Sequence, residues 1–326
     1  MNRRTRVFIV VVIAALVAAG AAIAAALVLG SDEEKGGGRE GAPPLVLDLG
    51  LRTDPEALAL RRAERLYTNR KRADAERIFS RYDSPPAEIG SAFSHWPEGT
   101  VSKLERLAAE HRRDSRVLLH LGFARFWVGR DSDAIQAWRA AARVDPDSPS
   151  AETADDVLHR NFPRGRPHFV PSFAAPPSLT GLSAPRQFAT LARRARTRDV
   201  KAKLLYGLAL QRLGHRLSAR RQYDAAVRLE PQNPEARVAA AVVRFDKARP
   251  SIAFSQLGPL TRRFPRAQSV RFHLGLMLLW LARAQPGSVE QGKAQLRQAR
   301  ALGPKTVLGR EAKRVLDSLE GAETRQ

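Results

Sequence analysis

The chain is predicted to be all-α, a solenoid of about seven helical hairpins after one N-terminal membrane-spanning helix. Three observations predict this. Gly122 and Gly207 each stand twelve positions before an alanine, Ala134 and Ala219, and twenty-four before a proline, Pro146 and Pro231. Between them, apolar residues recur at helical spacing. Residues 7–29 form an uncharged apolar run long enough to cross a bilayer. An irregular helical bundle is the plainer alternative.

The elements follow in chain order. Arg3, Arg4 and Arg6 precede the apolar run, and Ser31-Asp32-Glu33-Glu34 follows it. The positive flank stays inside, so residues 1–6 are a cytoplasmic tail and the rest lies outside. The alternative is a cleavable signal peptide, with a small-residue site at Ala22-Ile23-Ala24. The run is longer than a usual signal core, which favours an anchor. Residues 30–53 read as a flexible linker, because 30–44 is rich in Gly and acid, then in Gly and Pro. Gly36, Gly38 and Gly41 match G-x-G-x-x-G. No strand precedes them and no helix follows, so they read as linker too.

The array occupies residues 54–320, before a short tail at 321–326. Asp54-Pro55 is a helix cap with proline at the first helical position, and Ala63, Leu66, Ala75 and Phe79 fill the first unit. A shortened unit follows, with a helix near residues 87–95 and a second carrying Val101, Leu104 and Leu107. The units at 115–148 and 200–233 are the most regular. One 34-residue step past Gly207 gives Ala241, with Ala253, Leu257, Leu260 and Pro265 at matching offsets. Another gives Gly275, with Leu274 and Leu278 beside it. Its second arm (Leu296, Ala299, Pro304) arrives five residues late, the excess falling in the turn at 283–288. An amphipathic helix near 307–319 closes the array as a cap. Two further helices, near 150–160 and 184–198, make a unit whose turn is stretched by the Pro-rich loop 161–183. That loop carries Phe162, Phe169, Val170, Phe173 and Leu179. It is too apolar to prefer water and is expected to occupy or border the concave groove.

Leu118, Leu121, Gly122, Ala134, Trp138, Ala141 and Pro146 form one set. Tyr206, Gly207, Leu210, Ala219, Tyr223, Ala226 and Pro231 form another. Together they resemble the tetratricopeptide repeat (TPR), and with the N-terminal run the chain resembles membrane-anchored bacterial TPR proteins. The likeness covers most of residues 54–306. It implies that the small residue sits where helix A crosses helix B and that Trp138 or Tyr223 fills the space between them. The proline ends helix B. Arg125 and Arg244 stand where the pattern has a Tyr-like residue, a departure expected to loosen those units.

The resemblance also implies that helix A of each unit lines a concave, protein-binding groove. Leu119, Phe123, Phe126 and Trp127 fall there in one unit. Leu204, Leu208 and Arg212 fall there in the next regular one, and Phe272, Leu276, Leu279 and Trp280 in the last. TPRs that clamp a carboxylate tail carry Lys and Asn where this chain has Leu119, Phe123, Leu204 and Leu208. The groove is therefore apolar, and packing is the competing explanation of the stripe.

The formal net charge is +22 and there is no cysteine, which excludes disulfides and thiolate metal sites. Abundant Ala and Arg with little Lys suit a GC-rich bacterial genome. The arginine runs are explained by a solvated helix face, or by attraction to anionic lipid or wall polymer outside the membrane. Nucleic acid is disfavoured by the compartment. Asp155, Asp156 and His159 share a helix, but no third anchored ligand completes a metal site. Gly181-Leu182-Ser183-Ala184-Pro185 lacks the last glycine of a nucleophile elbow. No cofactor and no enzymatic activity are expected. Two functions remain. One is an anchored scaffold or assembly factor holding a segment of another envelope protein. The other is a basic adaptor for anionic wall polymer or lipid.

Overall fold

The structure is a computed structural model that describes the backbone of residues 39–323 and the side chains of 39–320. The predicted membrane span at 7–29 lies outside the described residues. Within them, no helix is long and apolar enough to cross a membrane. The described residues form helices and no strands. They divide into two compact units at Leu158 and His159.

The first unit holds α1 (Pro55–Thr68), α2 (Arg72–Phe79), α3 (Pro85–Ser94), α4 (Thr100–Glu110), α5 (Ser115–Trp127), α6 (Asp131–Val144) and α7 (Pro149–Leu158). Helices α1 to α6 are three hairpins, and α7 packs on the last. Their first helices, α1, α3 and α5, pack side by side and make one face of the unit. Asp54 caps α1 as expected, accepting the Ala57 N–H at 3.1 Å.

The second unit holds α8 (Ala184–Arg194), α9 (Val200–Arg212), α10 (Arg216–Leu229), α11 (Pro234–Val242), α12 (Ser251–Leu257), α13 (Leu260–Arg263), α14 (Gln268–Trp280), α15 (Ser288–Leu302) and α16 (Val307–Glu323). Again there are three hairpins, with α9, α11 and α14 packed as their first helices. The middle hairpin's second arm is broken between α12 and α13 at Gly258-Pro259, where proline cannot donate a ladder hydrogen bond. Helix α16 packs on α15 as a cap. The expected seventh pair is not one hairpin: α7 packs on α6 in the first unit, and α8 on α9 in the second.

The crossings are built as the glycine spacing predicts. A Cβ on Gly122 would run into the Trp138 indole, and one on Gly207 into the Tyr223 ring. Both rings are fully buried. A Cβ on Gly275 would lie 2.8 Å from Leu296 Cγ, which confirms the five-residue delay in the last hairpin. The two arginines do not loosen their units. Arg125 reaches back to Glu105 at 3.0 Å, and Arg244 to both oxygens of Asp224 at 2.7 and 2.9 Å. Each ties its hairpin to the preceding one, because a guanidinium spans a distance that a phenol does not.

Candidate functional site

Each unit carries a non-helical stretch of its own chain laid over the first helices of its hairpins. In the first unit this stretch is residues 39–49, which composition reads as linker. These residues are not a free linker. Pro43, Leu45, Leu47 and Leu49 are buried, and the residues between them only partly so. A burial period of two is that of an extended chain with one face inward. The inward leucines join the core that contains Phe93, Phe123 and Trp127.

Polar groups on the helices hold the backbone of this stretch. Val46 donates its N–H to His120 Nε2 at 3.1 Å, and Leu47 donates to Glu64 Oε1 at 3.0 Å. Tyr67 donates its hydroxyl to the Pro43 carbonyl at 2.7 Å, and the Trp96 indole N–H donates to the Gly41 carbonyl at 3.0 Å. At the start, the Arg39 N–H meets the Trp127 carbonyl at 2.8 Å. Its guanidinium lies 3.4 Å from the Phe126 ring centroid and grips both oxygens of Asp131 at 3.0 and 3.1 Å. Contacts pass from Trp127 at the end of α5 to Arg61 within α1, whose guanidinium donates to the Gly50 carbonyl at 2.7 Å. The segment therefore runs antiparallel to the helices beneath it.

In the second unit the loop 161–183 fills the equivalent place. Phe169 is fully buried, stacked on His273 at a centroid distance of 5.3 Å and edge-on to Tyr223 at 5.8 Å. Its N–H donates to Gln211 Oε1 at 3.3 Å, and that oxygen also receives the Tyr223 hydroxyl at 2.7 Å. Val170 donates its N–H to His273 Nε2 at 2.8 Å, and Ser172 donates to Glu235 Oε1 at 3.0 Å. Phe162 packs on Phe245, whose carbonyl accepts from Arg166 at 2.7 Å. This loop also runs antiparallel, from Phe245 beyond the end of α11 to Glu235 at its start. The rings it meets include Tyr223, Phe245 and His273.

Burial sets the protonation of these groups. His120 and His273 are both held down to about 4, because desolvation disfavours the imidazolium. In each, Nδ1 lies 2.7 Å from the carbonyl four residues back. That bond requires the proton on Nδ1 and leaves Nε2 as the acceptor of the segment's N–H. Burial pushes Glu64 and Glu235 up, opposed by the N–H groups of Leu47 and Ser172. His168 is lowered to about 4 by burial and by the charge of Arg212. Among the described residues no three His, Asp or Glu side chains gather as a metal would require.

Of the residues read as groove-lining, Phe126 meets the segment through Arg39 and also packs on Trp138 of α6, and Leu279 lies against Gly292 of α15. Leu119, Phe123, Phe126, Trp127, Leu204, Leu208 and Phe272 are buried. Arg212, Leu276, Leu279 and Trp280 are partly buried. The sequence reading missed the polar residues that hold the segments, namely Glu64, Tyr67, Trp96, His120, Gln211, Glu235 and His273. One signal was available. His120 and His273 each stand two residues before the crossing glycine of the third hairpin in their unit.

No protein-family model and no curated protein matches the chain. Similar solved structures include yeast Tom70, at 13% identity and a TM-score of 0.31, covering 78% of this chain. The chain spans 50% of the Tom70 chain it matches. The C-terminal part of a TPR repeat-containing protein from Cytophaga hutchinsonii is similar at 17% identity and a TM-score of 0.29. That match covers 78% of this chain and 98% of that one. A thermophilic TPR protein of Thermus thermophilus is similar at 20% identity and a TM-score of 0.26. That match covers 69% of this chain and 99% of that one. Likeness at these TM-scores carries no argument, and the hairpin reading rests on the glycine crossings above.

Proposed function

We propose that the chain is a membrane-anchored, TPR-like scaffold that holds an extended segment of another envelope protein on the extracytoplasmic side of a bacterial cell membrane. One observation carries the binding part of this reading. In both units a groove histidine accepts the backbone N–H of an extended segment, at Val46 and at Val170. Backbone capture grips a chain whatever its side chains, and pockets for alternate residues add selectivity. The membrane part rests on the apolar run at 7–29 and its arginine flank.

The experiment is crosslinking in intact cells followed by purification at low and high salt. Retention of a protein partner at high salt supports the scaffold. Recovery only of anionic lipid or wall polymer, lost on raising salt, supports the basic adaptor that the +22 charge also suits. A reporter active only outside the cytoplasm, fused after Gln326, is expected to be active. Activity of a cytoplasmic reporter at that position instead would overturn the topology.

A further inference from the structure

The two grooves are filled by segments of one pattern. In the first unit the chain reads Gly41-Ala42-Pro43-Pro44-Leu45-Val46, and in the second Gly165-Arg166-Pro167-His168-Phe169-Val170. Both follow G-x-P-x-(Leu or Phe)-Val. The correspondence is conformational as well. Gly41 and Gly165 both have positive φ, 82° and 71°, the region that favours glycine. Pro43 and Pro167 are both buried, as are Leu45 and Phe169. Val46 and Val170 both donate to a histidine two residues before a crossing glycine. Tyr67 and Gln211, which also hold the segments, each stand four residues after the small residue of their helix, Ala63 and Gly207.

Ordinary interior packing does not require this. A core needs apolar volume, which many sequences supply. Here two stretches far apart in the chain repeat the same turn, the same proline, the same inward apolar residue and the same donated N–H. Each meets residues on all three hairpins of its unit, and the histidine of the third hairpin is common to both. A seat that selects backbone direction, donor position and side-chain alternation is a peptide-binding site.

We infer that each groove is a binding site for an extended peptide of the pattern G-x-P-x-(Leu or Phe)-Val, and that residues 41–49 and 165–173 occupy these sites in cis. A partner protein presenting this pattern takes the seat by displacing the internal copy. This deepens the scaffold reading by naming the chemistry of the partner segment. The glycine supplies the positive φ at entry. The proline restricts the backbone before the anchor and lowers the entropy cost of ordering it. Leucine or phenylalanine fills the inward pocket. The valine N–H meets the imidazole.

The test uses the full chain with residues 51–53 replaced by a specific protease site. After cleavage, the segment is held only by its groove. A labelled peptide of residues 39–50 is then added, beside a scrambled peptide, one N-methylated at Val46, and one of residues 163–174. The native peptide is expected to exchange into the groove, and the 163–174 peptide to compete with it. Scrambling is expected to abolish uptake. N-methylation is expected to weaken uptake about tenfold, the effect of losing one buried hydrogen bond. No uptake while the helices persist by circular dichroism would overturn the inference, as would equal uptake of the scrambled peptide. If cleavage itself melts the first unit, refolding is read instead. Restoration by the native peptide supports the inference, and no restoration, or equal restoration by the scramble, overturns it. Failure here with a salt-resistant protein partner still crosslinked would leave the scaffold reading standing. Peptide exchange with no protein partner in cells would sink the scaffold reading alone.

Discussion

Val46 donates its backbone N–H to Nε2 of His120 at 3.1 Å, from an extended segment to a fully buried ring. The ring has no water to turn to, so the bond joins the segment to the hairpins. Replacing His120 with leucine removes the acceptor and leaves the N–H of Val46 unpaired. The expected cost is about 1–3 kcal/mol of unfolding free energy. Trypsin should also cut faster at Arg39 and Arg52 than in the parent chain. Unchanged stability and unchanged cutting would show that the bond does not hold the segment.

The same histidines predict a pH dependence. Their folded pKa, about 4, lies below the ordinary value of 6.5, so the unfolded chain binds more protons between these values. Stability therefore rises with pH across that window. It is fully present above pH 6.5, falls as pH drops toward 4, and falls no further from this cause below it. Each ring contributes on the order of 3 kcal/mol. Glu64 and Glu235, raised by burial, act with the opposite sign. Urea unfolding at pH 7, 5.5 and 4, compared with the His120→Gln and His273→Gln pair, isolates the imidazoles. An identical pH slope in both proteins would refute the assignment.

Gly207 stands against the buried ring of Tyr223, with no room for a Cβ. Gly207→Leu is expected to lower the melting temperature, with a cost of about 1–3 kcal/mol from overpacking. Gly207→Ala should move it in the same direction by less. A melting temperature equal to the parent's would mean the crossing is looser than the contact indicates.

Phe169 fills the middle of the second groove, between His273 and Tyr223. Phe169→Ala should cost about 3–5 kcal/mol, as for other fully buried aromatics. Deleting residues 164–179 should uncover Tyr223 and Phe245, raising binding of a hydrophobic dye while the helical signal persists. Rapid cutting at Arg164 or Arg166 in the intact chain, with no dye binding gained on deletion, would mean the loop does not cover the groove.

The hairpins were legible because their signal is local and periodic. Gly122 and Trp138, or Gly207 and Tyr223, are separated by one turn of chain, and their spacing follows from helix geometry. Glycine marks a place where two backbones approach, whatever lies elsewhere in the fold. The apolar aspect of Leu119 and Phe123 was legible for the same reason, since residues four apart share a helix face.

What covers that face was decided only in three dimensions. Gly41 and Pro43 look like linker residues, and composition cannot distinguish an extended chain in solvent from one in a groove. Both avoid helix, and both tolerate glycine and proline. The difference lies in partners distant in sequence: His120 for Val46, Tyr67 for Pro43, His273 for Val170. The sequence by itself determined where the helices cross at Gly122, Gly207 and Gly275, through contacts within one hairpin, but not that the helices Pro149–Leu158 and Ala184–Arg194 belong to separate units. Only the tertiary structure decided that the chain occupies its own grooves, because that depends on hydrogen bonds between segments with no fixed spacing to read.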